Sequence, residues 1–365
     1  LLLLGATVTK QVLVIGGTGH IGHCIAKDIQ KQTQAKVTVT GRNFSFIQDF
    51  PFLQFNLNNL DKIPEIISDF DLVVHGAGPF HKRDGRVLKS CIEQGVNYID
   101  VSDHRSFHCQ VAGYHEQAKE AGVTAILHTG VFPGISNLMA REGVETLETT
   151  DSIHLNYVVA GSGGAGLTVM RTTFLGLQSP FSAWLQGQWQ QVLPYSEAEQ
   201  ITFPHYGEAN VYWFDVAETY TLARSFPVKT VVTKFGSIPE FYNDLTGMVA
   251  QRVPKSVLQN PWVIEGLSKM SLAMARVTDV WSGVGIAVCV DVQGQKDGQD
   301  QTYGLQFFHD HTAIAAGMGA GSIAQLLLNQ DIVQPGVWSV EQAATTPLFH
   351  KMMEQRGIKI DGFYF

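Results

Sequence analysis

Residues 11–22 read QVLVIGGTGHIG, an apolar run (Val12, Leu13, Val14, Ile15) that leads into Gly17-x-Gly19-x-x-Gly22, with Gly16 ahead of it. Beyond the glycines Ile21, Cys24, Ile25 and Ile29 recur at helical spacing. A strand that turns on glycines into a helix has few folds open to it. The first glycine allows a tight turn, the second lets backbone approach a phosphate, and the third lets the helix lie close on its strand. The helix start then offers unpaired N–H groups and a positive dipole end to an anion. The segment therefore predicts a dinucleotide pyrophosphate site; the alternative is a turn that is merely tight.

Residues 36–40 form the next strand-like run, ending at Gly41-Arg42-Asn43. An NAD site commonly has an Asp or Glu about 20 residues past the glycines, accepting from the ribose 2′-hydroxyl. Arg42 stands here instead, and a guanidinium forks onto a 2′-phosphate. The pattern favours NADP(H) over NAD(H), against the plainer reading of Arg42 as a solvated loop residue.

With 365 residues, 45% hydrophobic and 16% charged, the chain suits two ordinary globular domains. A formal net charge of -8 without a basic run argues against a nucleic-acid partner. Cys24, Cys91, Cys109 and Cys289 lack CxxC pairing, which fits a reducing compartment. The expected location is cytoplasmic, or an organelle stroma or matrix if a targeting segment has been removed. Residues 1–4, all Leu, are too short for a signal core. Residues 312–328 are uncharged and approach membrane-span length, but their Gly, Ala and Ser content and the flanking His309, Asp310, His311 and Asp331 predict a closely packed internal helix and no membrane span.

Strand and helix alternate up to about residue 130. Further strands are expected at 52–55, 71–76, 97–100 and 123–127, with helices at 86–94, closed by Gly95, and 107–121, closed by Gly122. Six strands joined by helices predict an α/β, Rossmann-type doubly wound parallel sheet. After Pro133-Gly134 the expected strands are 153–160, 209–215, 229–234, 284–292 and 303–308, with a hairpin signal at Asp297-Gly298. Without regular intervening helices, they predict a second, α+β domain carrying a mainly antiparallel sheet. The tail reads as helix at 313–328 and 340–356. The expected division is 1–133 for dinucleotide binding, 134–311 for the α+β domain and 312–365 for a C-terminal helical segment.

Three stretches, GVNYIDVSD (95–103), HEQA (115–118) and TGVFPGISNL (129–138), together with AQLLL (324–328) ahead of PGVW (335–338), resemble the saccharopine dehydrogenase-like family over nearly the whole chain. The resemblance implies a Rossmann-type domain interrupted by a substrate and dimerisation domain, with the C-terminal helices returning to the first. It implies a homodimer and nicotinamide-dependent hydride transfer to or from a C=N, C=O or C=C bond of a small-molecule substrate at the interdomain cleft. Carried over by residue, Gly16, Gly17, Thr18, Gly19, His20, Ile21 and Arg42 hold the adenosine end of NADP(H), and Ala77, Gly78, Pro79 and Phe80 lie along its nicotinamide half. The middle of the chain departs from saccharopine-forming enzymes. Cations are few there (Arg171, Arg224, Lys229, Lys234) and aromatics plentiful, which fits either an apolar pocket or plain core.

Hydride transfer needs positioning and a proton source. His81, just after GAGPF, Asp103 after the fifth strand and His128 after the sixth lie where ligands gather in this fold. Each has a structural alternative, as a loop cap, a helix cap and a core histidine. The glycine cluster at 161–166 suits a substrate-contacting loop, and Arg171 behind it is the candidate anchor for a substrate carboxylate. His104 and His108 beside Cys109, and His309-Asp310-His311, supply no complete metal shell, so no metal is expected. An extended short-chain reductase would carry Tyr-x-x-x-Lys, but Tyr114 is followed by Ala118 and Tyr220 by Arg224 at the fourth place. A non-catalytic NADP(H) sensor is the remaining alternative.

Overall fold

The computed structural model describes residues 9–43, 49–59 and 62–365; residues 1–4 lie outside them. Strand β1 (Gln11–Ile15) is buried from Val12 onward, as a parallel strand covered on both faces requires. It is followed by β2 (Lys36–Gly41), β3 (Phe52–Gln54), β4 (Leu72–His75), β5 (Asn97–Asp100) and β6 (Thr124–Leu127). Then come β7 (Thr149–Ala160), β8 (Phe181–Leu185), β9 (Gln188–Val192), β10 (Glu199–Phe203), β11 (Gly207–Trp213), β12 (Thr230–Ile238), β13 (Ile286–Lys296) and β14 (Gln299–His309). β15 (Gly336–Ser339) and β16 (Asp361–Tyr364) close the chain.

The first sheet is doubly wound and parallel, in the order β15-β6-β5-β4-β1-β2-β3. Strand order reverses between β1 and β4, so a crevice opens beyond their C-terminal ends. The second sheet, β10-β11-β12-β7-β13-β14-β16 with β8 and β9 beside β12, is mainly antiparallel, only β12 and β7 pairing parallel. At the β13–β14 turn Asp297 and Gly298 both have φ near +60°, the left-handed pair that a two-residue hairpin needs.

Several local expectations are corrected. The first sheet has seven strands, because Gly336–Ser339 pairs with Thr124–Leu127. The helix expected over 107–121 is broken: Arg105–Val111 ends in a tight turn at Ala112–Tyr114 before His115–Glu120, where Gly113 weakens helix propensity. Helices do interrupt the second sheet, at Leu167–Gly176, Ala217–Ser225, Phe241–Arg252 and Pro261–Ser282. The tail is not helical throughout, since β16 pairs with β14.

Helix Thr312–Leu328 lies against helix His20–Gln32 so closely that a Cβ at Gly317 would sit 2.7 Å from the Cys24 backbone, and one at Gly321 would overlap Asp28. Among the described residues no helix is long and apolar enough to cross a membrane. The buried Arg356 guanidinium donates to both Asp28 oxygens, with Nη2–Oδ2 at 2.6 Å, and fixes the tail to the first helix.

Candidate active site

The glycine turn divides its work differently from the simplest reading of the motif. Gly16, at φ +82°, takes the left-handed corner; a Cβ on Gly17 would press on Val39 at 2.7 Å, and one on Gly22 would overlap the Gly16 carbonyl. Glycine at these positions lets the start of helix His20–Gln32 sit directly above β1. That helix has no side-chain cap at Gly19 and no acidic residue in its first turn. Its first N–H groups and dipole therefore remain open to an anion, and the donor set fits a pyrophosphate.

A cleft of about 610 Å³ opens above this turn. Gly16, Thr18, Gly19, His20 and Ile21 line one side, Arg42 the end by β2, and Ala77, Gly78, Pro79 and Phe80 the loop after β4. Gly17 sits beneath, packed on Val39. Arg83, which sequence reasoning missed, also lines the cleft. It donates from Nε to the Ala77 carbonyl at 2.7 Å and from Nη2 to the Gly78 carbonyl at 3.1 Å, holding the loop in shape. Burial, and then the neighbouring charge of Arg42, lower its affinity for a proton. Two cations sharing one wall suit a phosphate ester.

On the opposite wall Gly166, Thr168, Arg171 and Thr172 face the cleft from the glycine loop and the helix behind it, with Arg276 from helix Pro261–Ser282. Arg171 is bidentate to Glu265, at 2.8 and 2.9 Å. Those hydrogen bonds hold the Glu265 carboxyl down at about 2. Its charge is thus already matched, whereas Arg276 has no acidic partner among the described residues.

Behind this cleft lies a smaller chamber of about 170 Å³, walled by Phe132, Tyr157, Met170, Phe174, Phe214 and Phe235. The two spaces share Ile21, Val101, Asp103, Val169 and Thr172. Asp103 is the titratable group common to both. Its Oδ1 is buried without a hydrogen-bond partner, and burial pushes its carboxyl up to about 6, the Thr172 hydroxyl opposing in part. The Tyr157 hydroxyl is likewise buried and unpartnered in the chamber wall. Asp215, also in that wall, meets Arg105 Nη2 at 2.5 Å. Glu218, one turn on, is buried with Oε2 unpartnered, and burial raises its carboxyl to about 8.

The loop that presents Asp103 is held from below. Asp100 Oδ1 accepts from the Ser102 amide (3.0 Å), the Ser102 hydroxyl (2.6 Å) and the His128 amide (3.0 Å). His128, at φ +64°, brings Nδ1 to 2.8 Å from the Ser102 carbonyl and Nε2 to 2.9 Å from His108 Nδ1. Burial lowers its affinity for a proton to about 4. His81 stacks on His104 with centroids 3.4 Å apart, its Nδ1 buried and unpartnered; burial lowers it to about 3. Neither His128 nor His81 lines the cleft or the chamber. The glycine cluster is shared out: Gly161, Ser162, Gly163 and Ala165 line the chamber and Gly166 the cleft, with Ser162 tied to Asp279 by two bonds of 2.7 Å.

A parallel doubly wound sheet, an uncapped glycine turn at its switch point and arginines along the crevice define a nicotinamide-dinucleotide oxidoreductase. Residues 12–126 match the saccharopine dehydrogenase NADP binding domain. The chain thus carries an NADP-binding domain of the saccharopine dehydrogenase type, with NADP(H) as its cofactor, and is similar to the saccharopine dehydrogenase-like oxidoreductases. It is 25% identical over 331 residues to a carboxynorspermidine synthase of Vibrio cholerae, covering 82% of this chain and 80% of that protein. To a carboxyaminopropylagmatine dehydrogenase of Synechocystis sp. it is 24% identical over 322 residues, covering 80% and 79%. Its fold matches that of the apo saccharopine dehydrogenase (L-Glu forming) of Saccharomyces cerevisiae, with a TM-score of 0.70 at 14% identity over 98% of this chain and 100% of the other.

Proposed function

We propose that the chain reduces, or in reverse forms, a C=N bond joining an amine to a carboxylated carbon chain, where the cleft meets the chamber. The observation that carries this reading is Asp103: a buried carboxyl, free at Oδ1, that borders both spaces. Bound NADPH supplies hydride to the carbon of such a bond; the nitrogen needs a proton. Asp103, held up to about 6, gives that proton near neutral pH. The Asp100–Ser102–His128 network fixes its loop, so we assign His128 a positioning role.

The walls support a substrate with two different ends. Arg276 meets a carboxylate from the cleft side, beside the Arg171–Glu265 pair, and the unpartnered Tyr157 hydroxyl meets an amine from within the chamber. An uncharged lipid would leave the Tyr157 hydroxyl and Asp103 Oδ1 desolvated without a partner, which is costly. The names of the curated relatives, carboxynorspermidine synthase and carboxyaminopropylagmatine dehydrogenase, are those of carboxylated amines and support the same class. The test is NADPH consumption with short diamines and carbonyl acids, singly and mixed, with mass analysis of the product. Consumption only in the mixture, yielding a secondary amine, is expected; equal consumption with a carbonyl compound alone would refute the reading.

A further inference from the structure

Arg83 stands just beyond the short turn Phe80–Lys82, and the chain folds back there, its amide donating to the Phe80 carbonyl at 3.1 Å. The side chain therefore returns across the loop ahead of that turn. Its Nε and Nη2 donate to the carbonyls of Ala77 and Gly78. That loop, which lines the cleft, is the one expected along the nicotinamide half of the cofactor. Gly78 in turn lies against the opposite wall, where a Cβ on it would stand 3.2 Å from the Thr168 methyl. A small shift of the loop is thus felt across the whole cleft, because packed contacts transmit it.

The guanidinium has more to give than those two bonds. Its other N–H groups meet no acceptor among the described residues, and it forms no ion pair there. Asp84, next in the chain, is taken by Arg86, whose amide and guanidinium reach its two oxygens. After burial, the strongest influence on Arg83 is the like charge of Arg42. Two cations on one wall, one of them half withdrawn from water, repel each other unless an anion joins them. The pyrophosphate of the cofactor is served elsewhere, by the open N–H groups at the start of helix His20–Gln32. What remains on NADP(H) is the 2′-phosphate, whose oxygens can accept from two guanidinium groups at once.

We propose that Arg83 reads the 2′-phosphate jointly with Arg42 and, through the Ala77 and Gly78 carbonyls, passes that contact to the nicotinamide loop. The extra phosphate of NADP(H) then sets the seat of the nicotinamide as well as the affinity of the cofactor. This rests on the cofactor alone and is independent of the substrate proposed above. The test is calorimetric binding of NADPH, NADH, 2′-phospho-ADP-ribose and ADP-ribose to the full chain, the last two lacking nicotinamide. In the wild type, adding nicotinamide should tighten the 2′-phosphorylated ligand by at least about threefold more than the unphosphorylated one. Arg83→Met should weaken NADPH by about 10- to 100-fold, spare NADH, and abolish that coupling. Arg83→Lys keeps the charge without the fork, so it should retain most of the preference for NADPH while losing the coupling. No coupling in the wild type would overturn the proposal, even if neither variant folds. Equal losses of NADPH and NADH in Arg83→Met would overturn it as well, by assigning Arg83 to the pyrophosphate. So would coupling that survives in Arg83→Met.

Discussion

The cleft and the chamber share a border yet are built from opposite materials. The cleft is backbone and cations: a glycine turn at a helix start, Arg42, Arg83 and Arg276, with Arg171 matched by Glu265. The chamber is carbon with acids and hydroxyls set into it, and Arg105, which meets one of those acids, is held by Asp215. The first suits a phosphate-rich cofactor that any enzyme of this class must hold. The second suits the variable part of a substrate. The difference separates what is general in this protein from what is particular to it, and side chains on the two sides should fail in different measurements.

The largest separation is expected at the border. Asp103→Asn keeps shape and removes the proton, so turnover should drop by about 10²–10⁴-fold while the Kd for NADPH stays within about twofold. In the wild type, reduction should run at full rate below pH 6 and fall by about tenfold per unit above it, because the Asp103 carboxyl is pushed up to about 6 and must be protonated to donate. A pH profile unchanged in Asp103→Asn would remove the residue from the reaction. On the cleft side, Arg42→Ala should weaken NADPH by about 10- to 100-fold, the worth of a charge-assisted contact, and leave NADH nearly untouched. Equal losses for both cofactors would mean that Arg42 does not read the 2′-phosphate.

A smaller effect sharpens the contrast from the chamber side. Burial raises the Glu218 carboxyl from 4.5 to about 8. The folded protein then holds a proton that the unfolded chain has released, so this contribution to stability is full below about pH 4.5 and is lost as pH rises through 8. Glu218→Gln cannot ionise, and its melting temperature should gain on wild type between pH 6 and pH 8. A constant difference across that range would show that Glu218 does not titrate there.

Most of the cleft was legible because its signals are local. Three glycines within six positions, an apolar run before them and an arginine at the end of the next strand read without any tertiary knowledge. The chamber was legible only where one side chain is tied to a strand end, as Asp103 is. Tyr157, Met170 and Asp215 meet in its wall from three widely spaced segments, and no spacing in the chain announces that. Asp215 follows a readable strand, which is the one signal available for it. His81 and His128 follow the strand-end rule equally well, yet the structure sets their rings in packed contacts that line neither space, since the rule gives a neighbourhood and not the direction of a side chain. The seventh strand of the first sheet, β15, was hidden because it joins that sheet from the far end of the chain, and helix Pro261–Ser282 by an outer face too apolar to read as solvent-exposed.

The central claim is that hydride and proton meet where Asp103 borders both spaces. A crystal structure of the NADP+ complex tests it most directly. The account predicts the nicotinamide C4 at the mouth of the chamber, close enough to Asp103 for a single C=N bond to touch both. A nicotinamide ring seated elsewhere, with Asp103 beyond reach of any substrate atom in contact with C4, would contradict it.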